Sequence, residues 1–206
     1  MNNFLFDTTG LSATDTDAFD ATCRDLKTKF RVEVPGYIDF GLGQFQLLKH
    51  YKTVNTRDAF TLKNIFGDSY MLFLEVEAPI KATRGPVTHR IEYQPWGLAY
   101  LKHDFGRVLI RPETLVDKVL EIIHPIELDF KEDKPFSDRF YVLTDDRYKA
   151  TTGMDQNFRD AVMAIKENDI IIEIIEHTLI IGNRKPIQPQ HACYLAEFVA
   201  KLAGKC

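Results

Sequence analysis

Six histidines, three cysteines and two pairs of acids are the residues in this chain best suited to chemistry. The histidines are His50, His89, His103, His124, His177 and His191. None stands in the HExxH arrangement that sets two imidazoles one helical turn apart on a metal. His191 and Cys193 are the nearest His/Cys pair. On a helix, residues two apart point about 200° apart, so this pair cannot hold one metal ion from a single segment. Cys193 then reads as a small buried hydrophobe and His191 as a surface residue of a first helical turn. A Cys193 nucleophile served by a distant base such as His177 stays open as chemistry, with nothing in the spacing to support it. Glu173 and Glu176 lie on a strongly apolar run. Paired carboxylates in a cleft work as acid and base. Three apart on an extended strand, these two face opposite ways. Solvent-side charges that discourage aggregation are the expected role. Asp145-Asp146 follows a strand and suits a turn or a helix start. Two adjacent acids make a poor Mg²⁺ or Ca²⁺ loop.

Gly41 and Gly43 give GxG, but Gln46 stands where a third glycine is due, and the dinucleotide-binding fingerprint fails. GxxxxGK[ST] and GxSxG are absent. No catalytic residue, metal ligand or cofactor is assigned on these grounds. The most unusual composition is Tyr93-Gln-Pro-Trp96-Gly-Leu-Ala-Tyr100, which holds the single tryptophan between Pro95 and Gly97. His89, Arg90, Lys102 and His103 flank it. Pro and Gly suggest a turn, and Trp, Tyr and Arg are the residues of interaction hot spots. Tyr93, Trp96 and Tyr100 are therefore the candidate binding residues, for a ligand or a partner. The competing expectation is that Trp96 folds back over the core, as large aromatics do.

The composition bounds what such residues serve. The chain has 206 residues, 45% hydrophobic and 27% charged, the balance of an ordinary globular protein. Net charge is −4 and no Lys/Arg block stands out. Phosphate binding needs a basic face, so nucleic acid is not an expected partner. Cys23, Cys193 and Cys206 are widely spaced and form no CxxC pair. Reduced thiols in a reducing compartment are expected. Cys206 is last, whereas a prenylation box places its Cys fourth from the end. Met1 to Asp7 lacks the charge and apolar run of a signal peptide. The densest apolar run, Ile170 to Ile175, is interrupted by Glu173 and falls far short of the roughly 18 to 20 apolar residues that span a bilayer. No integral membrane segment and a cytoplasmic location are expected.

The elements follow from periodicity and punctuation. Ser12 to Thr14 can cap a first helix running to Phe30, with Phe19, Cys23, Leu26 and Phe30 on one face. Phe45–Tyr51, Ala59–Phe66, Ser69–Val76, Val87–Tyr93 and Phe105–Ile110 read as strands, with turns at Gly67-Asp68 and Gly85-Pro86. This half reads as an antiparallel meander. Pro112 opens a helix through Ile123, stopped by His124-Pro125. Ile126–Phe130 and Arg139–Leu143 are strands, and Asp155 caps a helix bearing Phe158, Ala161, Val162 and Ile165. Ile170–Glu176 and Thr178–Ile181 make a tight hairpin, and Pro189 opens a last helix. The fold class is α+β: a mainly antiparallel sheet with an N-terminal helix and three further helices packed on it. Residues 1–206 are read as a single domain, with no linker to mark a division near Arg111 between helix plus β-meander (1–110) and a mixed α+β half (111–206).

Arg111-Pro112-Glu113 ends a strand and opens a helix. Asp129-Phe130 and Pro135-Phe-Ser-Asp-Arg-Phe-Tyr-Val-Leu143 follow, then the apolar strand, Leu179–Ile181 and the final helix. This succession, over about residues 105–203, resembles an uncharacterised bacterial family, a domain of unknown function often found behind membrane-spanning helices. The resemblance implies a bacterial domain and carries over no activity and no catalytic residue. On physical grounds Pro112 and Glu113 suit a helical first turn, and Arg139 is placed to pair with Glu113 or Asp129. The functional expectation is a non-catalytic binding or scaffold domain acting through a protein partner or by self-association. The alternatives are an enzyme of unrecognised type with a cleft of scattered His, Asp and Glu, and a membrane-peripheral accessory protein. The slightly acidic charge speaks against anionic lipid.

Overall fold

The computed structural model describes residues 9–65, 67–80, 88–113 and 125–203. The first helix, α1 (Ala13–Lys29), starts where Ser12 Oγ accepts the Asp15 N–H at 3.1 Å. Phe19, Cys23 and Leu26 form its buried face, at helical spacing. Four strands follow: β1 (Val32–Glu33), β2 (Val54–Leu62), β3 (Ser69–Ile80) and β4 (Thr88–Tyr100). Then come β5 (Arg107–Pro112), β6 (Ile126–Glu127), the short helix α2 (Lys134–Ser137) and β7 (Phe140–Thr144). Helices α3 (Arg147–Gly153) and α4 (Gln156–Met163) begin at Asp146 and Asp155, each of which caps with its carboxylate. The hairpin β8 (Ile171–Ile175) and β9 (Thr178–Gly182) and the helix α5 (Pro189–Leu202) complete the described chain. Pro189 opens α5, as expected of a residue that lacks the N–H the first turn cannot use.

All nine described strands form one antiparallel sheet in the order β1-β2-β3-β4-β9-β8-β5-β7-β6. The fold is α+β, with nine strands and five helices among the described residues. The meander stops at β4. Its next neighbour is β9, and the late β8–β9 hairpin separates β4 from β5. Strands from both halves of the chain therefore belong to the same sheet.

The two sheet faces carry different covers. On one, α1, α4 and α5 pack Phe19, Leu26, Phe158, Leu195 and Val199 against Phe73, Ile110, Ile172 and Ile181. On the other lie residues 38–51, which pack Phe45, Leu47, Leu48 and Tyr51 against Leu72, Leu74, Trp96 and Ile180. The expected strand Phe45–Tyr51 is instead two 3-10 turns, Leu42–Gln44 and Gln46–Leu48, entered from a left-handed Gly41. The reason is tertiary: Glu173 on β8 accepts the Leu47 N–H at 2.9 Å, which a turn presents and a paired strand would not. Helix residues 114–123 expected after Pro112, the Gly85-Pro86 turn, His124 and Cys206 lie outside the described residues. No helix among the described residues is long and apolar enough to cross a membrane.

Candidate functional site

Tyr93, Trp96 and Tyr100 all lie on β4, and the period of a strand divides them. Tyr93 turns to the helical face, where it packs partly buried against that core. Trp96 and Tyr100 take the opposite side. The expected turn at Pro95-Trp96-Gly97 is an uninterrupted strand, paired with β3 through Trp96↔Leu72 and Gly97↔Met71. Trp96 is 0% exposed. Its ring lies over Gly182, where a Cβ would stand 2.5 Å from Trp96 Cε3. Trp96 Nε1 donates to Gln94 Oε1 at 3.3 Å, and Tyr51 Oη donates to the same oxygen at 2.7 Å. Gln94 Nε2 donates to Glu92 Oε2 and to the Arg184 carbonyl. Burial pushes the Tyr51 hydroxyl up to about 12, against the opposing hydrogen bond to Gln94. This is a satisfied internal network, and it gives a buried glutamine its partners. Tyr100 is half exposed and meets Tyr70 edge-on at 5.9 Å, with Phe40 beyond. The three aromatics do not form one surface.

A polar cleft of about 410 Å³ opens at the end of β5, lined by Gly106, Arg107, Asp145, Asp146, Lys149 and Glu176 among others. Its acids are tied to the backbone around them. Asp145 Oδ1 accepts the Arg107 N–H at 2.8 Å, and Asp146 Oδ1 caps α3 through the Lys149 N–H. Nearby Asp104 accepts the Gly106 N–H and holds Lys149 Nζ at 2.7 Å. The hydrogen bond from Lys149, then that from Gly106, keeps the Asp104 carboxyl below its ordinary range. Such a carboxylate is a weak proton acceptor. Glu176 sits at the β8–β9 turn with φ +53°.

The acid that burial does perturb is Glu173, which is 2% exposed rather than on the solvent side that its charge suggests. Desolvation raises its pKa, against hydrogen bonds from the Leu47 and Gln46 amides and the charge of Arg107, whose Nη1 lies 3.8 Å away. Glu173 therefore fastens the 38–51 segment to the sheet, out of reach of any solute. His191 is also buried rather than on the surface, with Nδ1 3.0 Å from Glu167 Oε1. Arg139 does not pair with Glu113 or Asp129. Its guanidinium donates to the carbonyls of Met163 and Ile165 at the end of α4, while its own carbonyl accepts the Glu113 N–H. Burial, above all, raises both the Cys23 and Cys193 thiols, the reverse of a nucleophile's activation. No group of three or more His, Cys, Asp or Glu among the described residues is arranged to hold a metal ion.

The exposed apolar side chains lie elsewhere. Tyr37 is 98% exposed, Ile65 91% and Val34 71%. Val34 directly follows β1, and Ile65 lies beside Arg31 and Glu33 at the outer edge of the sheet. Arg31, Glu33, Lys63, Asn64 and Ile65 line one shallow depression there. Glu33 meets Arg31 and Lys63, each at 3.6 Å.

No family model matches this chain. Comparison with curated proteins gives no match either. Among solved structures, the crystal structure of the mycobacterial trehalose monomycolate transport factor A, TtfA, is similar in fold. The TM-score is 0.56 at 9% identity, over 90% of this chain and 92% of that one. The likeness is one of architecture.

The β1 edge is what reasoning from sequence misses. Its signal is present in Val34-Pro35-Gly36-Tyr37, where two large apolar residues bracket a chain-breaking pair. Nothing in that string says that the short strand before it is the last in the sheet.

Proposed function

We propose that this chain is a non-catalytic binding domain of the cytoplasm, acting through protein contacts made along its β1 edge. The observation that carries this reading is the strong exposure of Val34, which directly follows β1, and of Ile65, which lies beside Arg31 and Glu33, with Tyr37 exposed three residues after Val34. Exposed apolar groups rimmed by charge are the usual mark of an interaction surface. Arg31, Glu33 and Lys63 supply the rim. The cleft supports a structural role better than a catalytic one, because Asp104, Asp145 and Asp146 are each engaged by backbone amides.

Photo-crosslinking tests the reading. A photoreactive residue at position 37 or 65 is expected to trap protein in cells, whereas one at Tyr148, exposed on α3, is expected to trap none. Equal adducts at all three positions, or none at 37 and 65, would contradict it.

A further inference from the structure

A sheet edge offers unpaired backbone to another strand. Parts of the other edges among the described residues are obstructed. β4 runs past β9 from Thr88 to Trp96, and the Ile187 N–H donates to the Tyr93 carbonyl at 2.9 Å, so the 183–187 segment covers that edge as far as Tyr93 and not the stretch from Thr88 to Glu92. On β2 the ladder slips between Thr56 and Asp58, and Arg57 there reaches the Thr9 carbonyl. A bulge of this kind turns an edge away from partners.

The outer side of β1 is open among the described residues. The Lys63 N–H donates to the Arg31 carbonyl at 2.9 Å, and Glu33 pairs with Thr61. Arg31 and Glu33 therefore direct their backbone groups at β2. Alternation along the strand turns the N–H and C=O of Val32 and Val34 outward, with the Phe30 carbonyl beside them. The Phe30 N–H is already taken, by the Leu26 carbonyl. Pro35 has no N–H and closes the stretch.

We propose that a second copy of this chain docks on this edge, antiparallel, with Val32 opposite Val32, so that the two sheets become one. This rests on the reading of the β1 edge as the binding surface. Three registers match outward groups to outward groups. With Val32 opposite Val34, Glu33 faces Glu33. With Val32 opposite Phe30, Arg31 faces Arg31. With Val32 opposite itself, Arg31 faces Glu33 on both sides of the two-fold axis. Directly opposed like charges destabilise a strand pair and opposite charges stabilise it, so the charge pattern selects the third register. That register also uses every outward N–H: Val32 exchanges two hydrogen bonds with its counterpart, and each Val34 N–H meets a Phe30 carbonyl, while the Val34 carbonyl stays with solvent because the Phe30 N–H is held by Leu26. Phe30 and Val32 pack on the helical-side core, and Val34, on the same face of the strand, gains Phe30 of the second copy as a neighbour.

Sedimentation velocity on the full chain over a concentration series tests this. Wild type is expected to form a dimer. Arg31→Glu and Glu33→Arg, both at exposed side chains, are each expected to weaken it at least about tenfold, because attraction becomes repulsion at two pairs. An equimolar mixture of the two variants is expected to restore the dimer. One chain then carries a basic side chain at both positions and the other an acidic side chain at both, so every facing pair is again attractive. Val32→Pro removes an outward donor that the described chain does not use, and is expected to be monomeric. A wild type that stays monomeric at every concentration would overturn the proposal, as would single variants that dimerise normally or a mixture with no recovery. A monomeric wild type that still crosslinks to a different protein at residue 37 or 65 would refute the second copy and leave the edge reading intact.

Discussion

Glu173 decides how one cover of the sheet is held. A lone acid on an Ile-rich strand suggests a solvent-facing charge. The structure buries it because two backbone amides of a 3-10 turn need an acceptor. Its folded pKa stands above the ordinary value of 4.5, mainly through desolvation. The sign of the linkage follows: the stability it contributes is full below that ordinary value and is lost as pH rises through the raised one. Glu173→Gln keeps an acceptor and removes the charge. It should raise stability at neutral pH and flatten the rise in stability that protonation gives on mild acidification, measured by denaturant unfolding across that range. Glu173→Leu should instead cost about 1–3 kcal/mol, because the Leu47 and Gln46 amides lose their acceptor. Ser69 presents the opposite case. Its hydroxyl is buried with no hydrogen-bond partner among the described residues. Ser69→Ala should stabilise the fold by about 1 kcal/mol, read as a higher midpoint of unfolding. Trp96 is the only tryptophan, and its fluorescence should be blue-shifted and resist acrylamide quenching until the chain unfolds. That burial is one of the two expectations its size allows. The turn expected around it does not form, because Pro95 and Gly97 both fit a strand here. Gly97 lies where α5 crosses, and a Cβ there would stand 2.7 Å from Val199 Cγ1.

At the scale of elements, caps and periodicity are legible. Ser12, Asp146, Asp155 and Pro189 start helices where their chemistry says they should. The β8–β9 hairpin is legible from its two apolar runs and the short gap between them. Residues 45–51 are not, since Phe45, Leu47 and Tyr51 alternate as a strand would and only the contact with Glu173 bends them into turns. Gly182 shows how tightly these elements meet. A methyl group there would collide with the Trp96 ring, which has no room to retreat in a closed core. Gly182→Ala should destabilise by about 1–3 kcal/mol or more, and should shift Trp96 emission in the folded state. An unchanged midpoint and spectrum would show that β9 and β4 lie farther apart than described.

For the whole molecule, the sequence carries the α+β class and its antiparallel pairing, because local alternation and hairpin spacing encode both. It does not carry the strand order. Placing β9 and β8 between β4 and β5 joins strands far apart in the chain, and no local pattern reports that. The candidate surface stays hidden for the same reason. Val34 and Ile65 become a site only once β1 is known to be an end strand. The aromatic run on β4 stands out by composition, yet the sheet divides it between two faces. The molecule's outward chemistry then rests on a short edge strand, with Pro35 and alternating charge setting what can pair there.

Amide hydrogen exchange on the intact chain, in dilute and in concentrated solution, tests this most directly. The account predicts fast exchange at Val32 and Val34 when dilute and marked slowing when concentrated, with His89 and Ile91 on the β4 edge unchanged. Exchange at Val32 and Val34 that ignores concentration, or protection that arises on β4 instead, would contradict it.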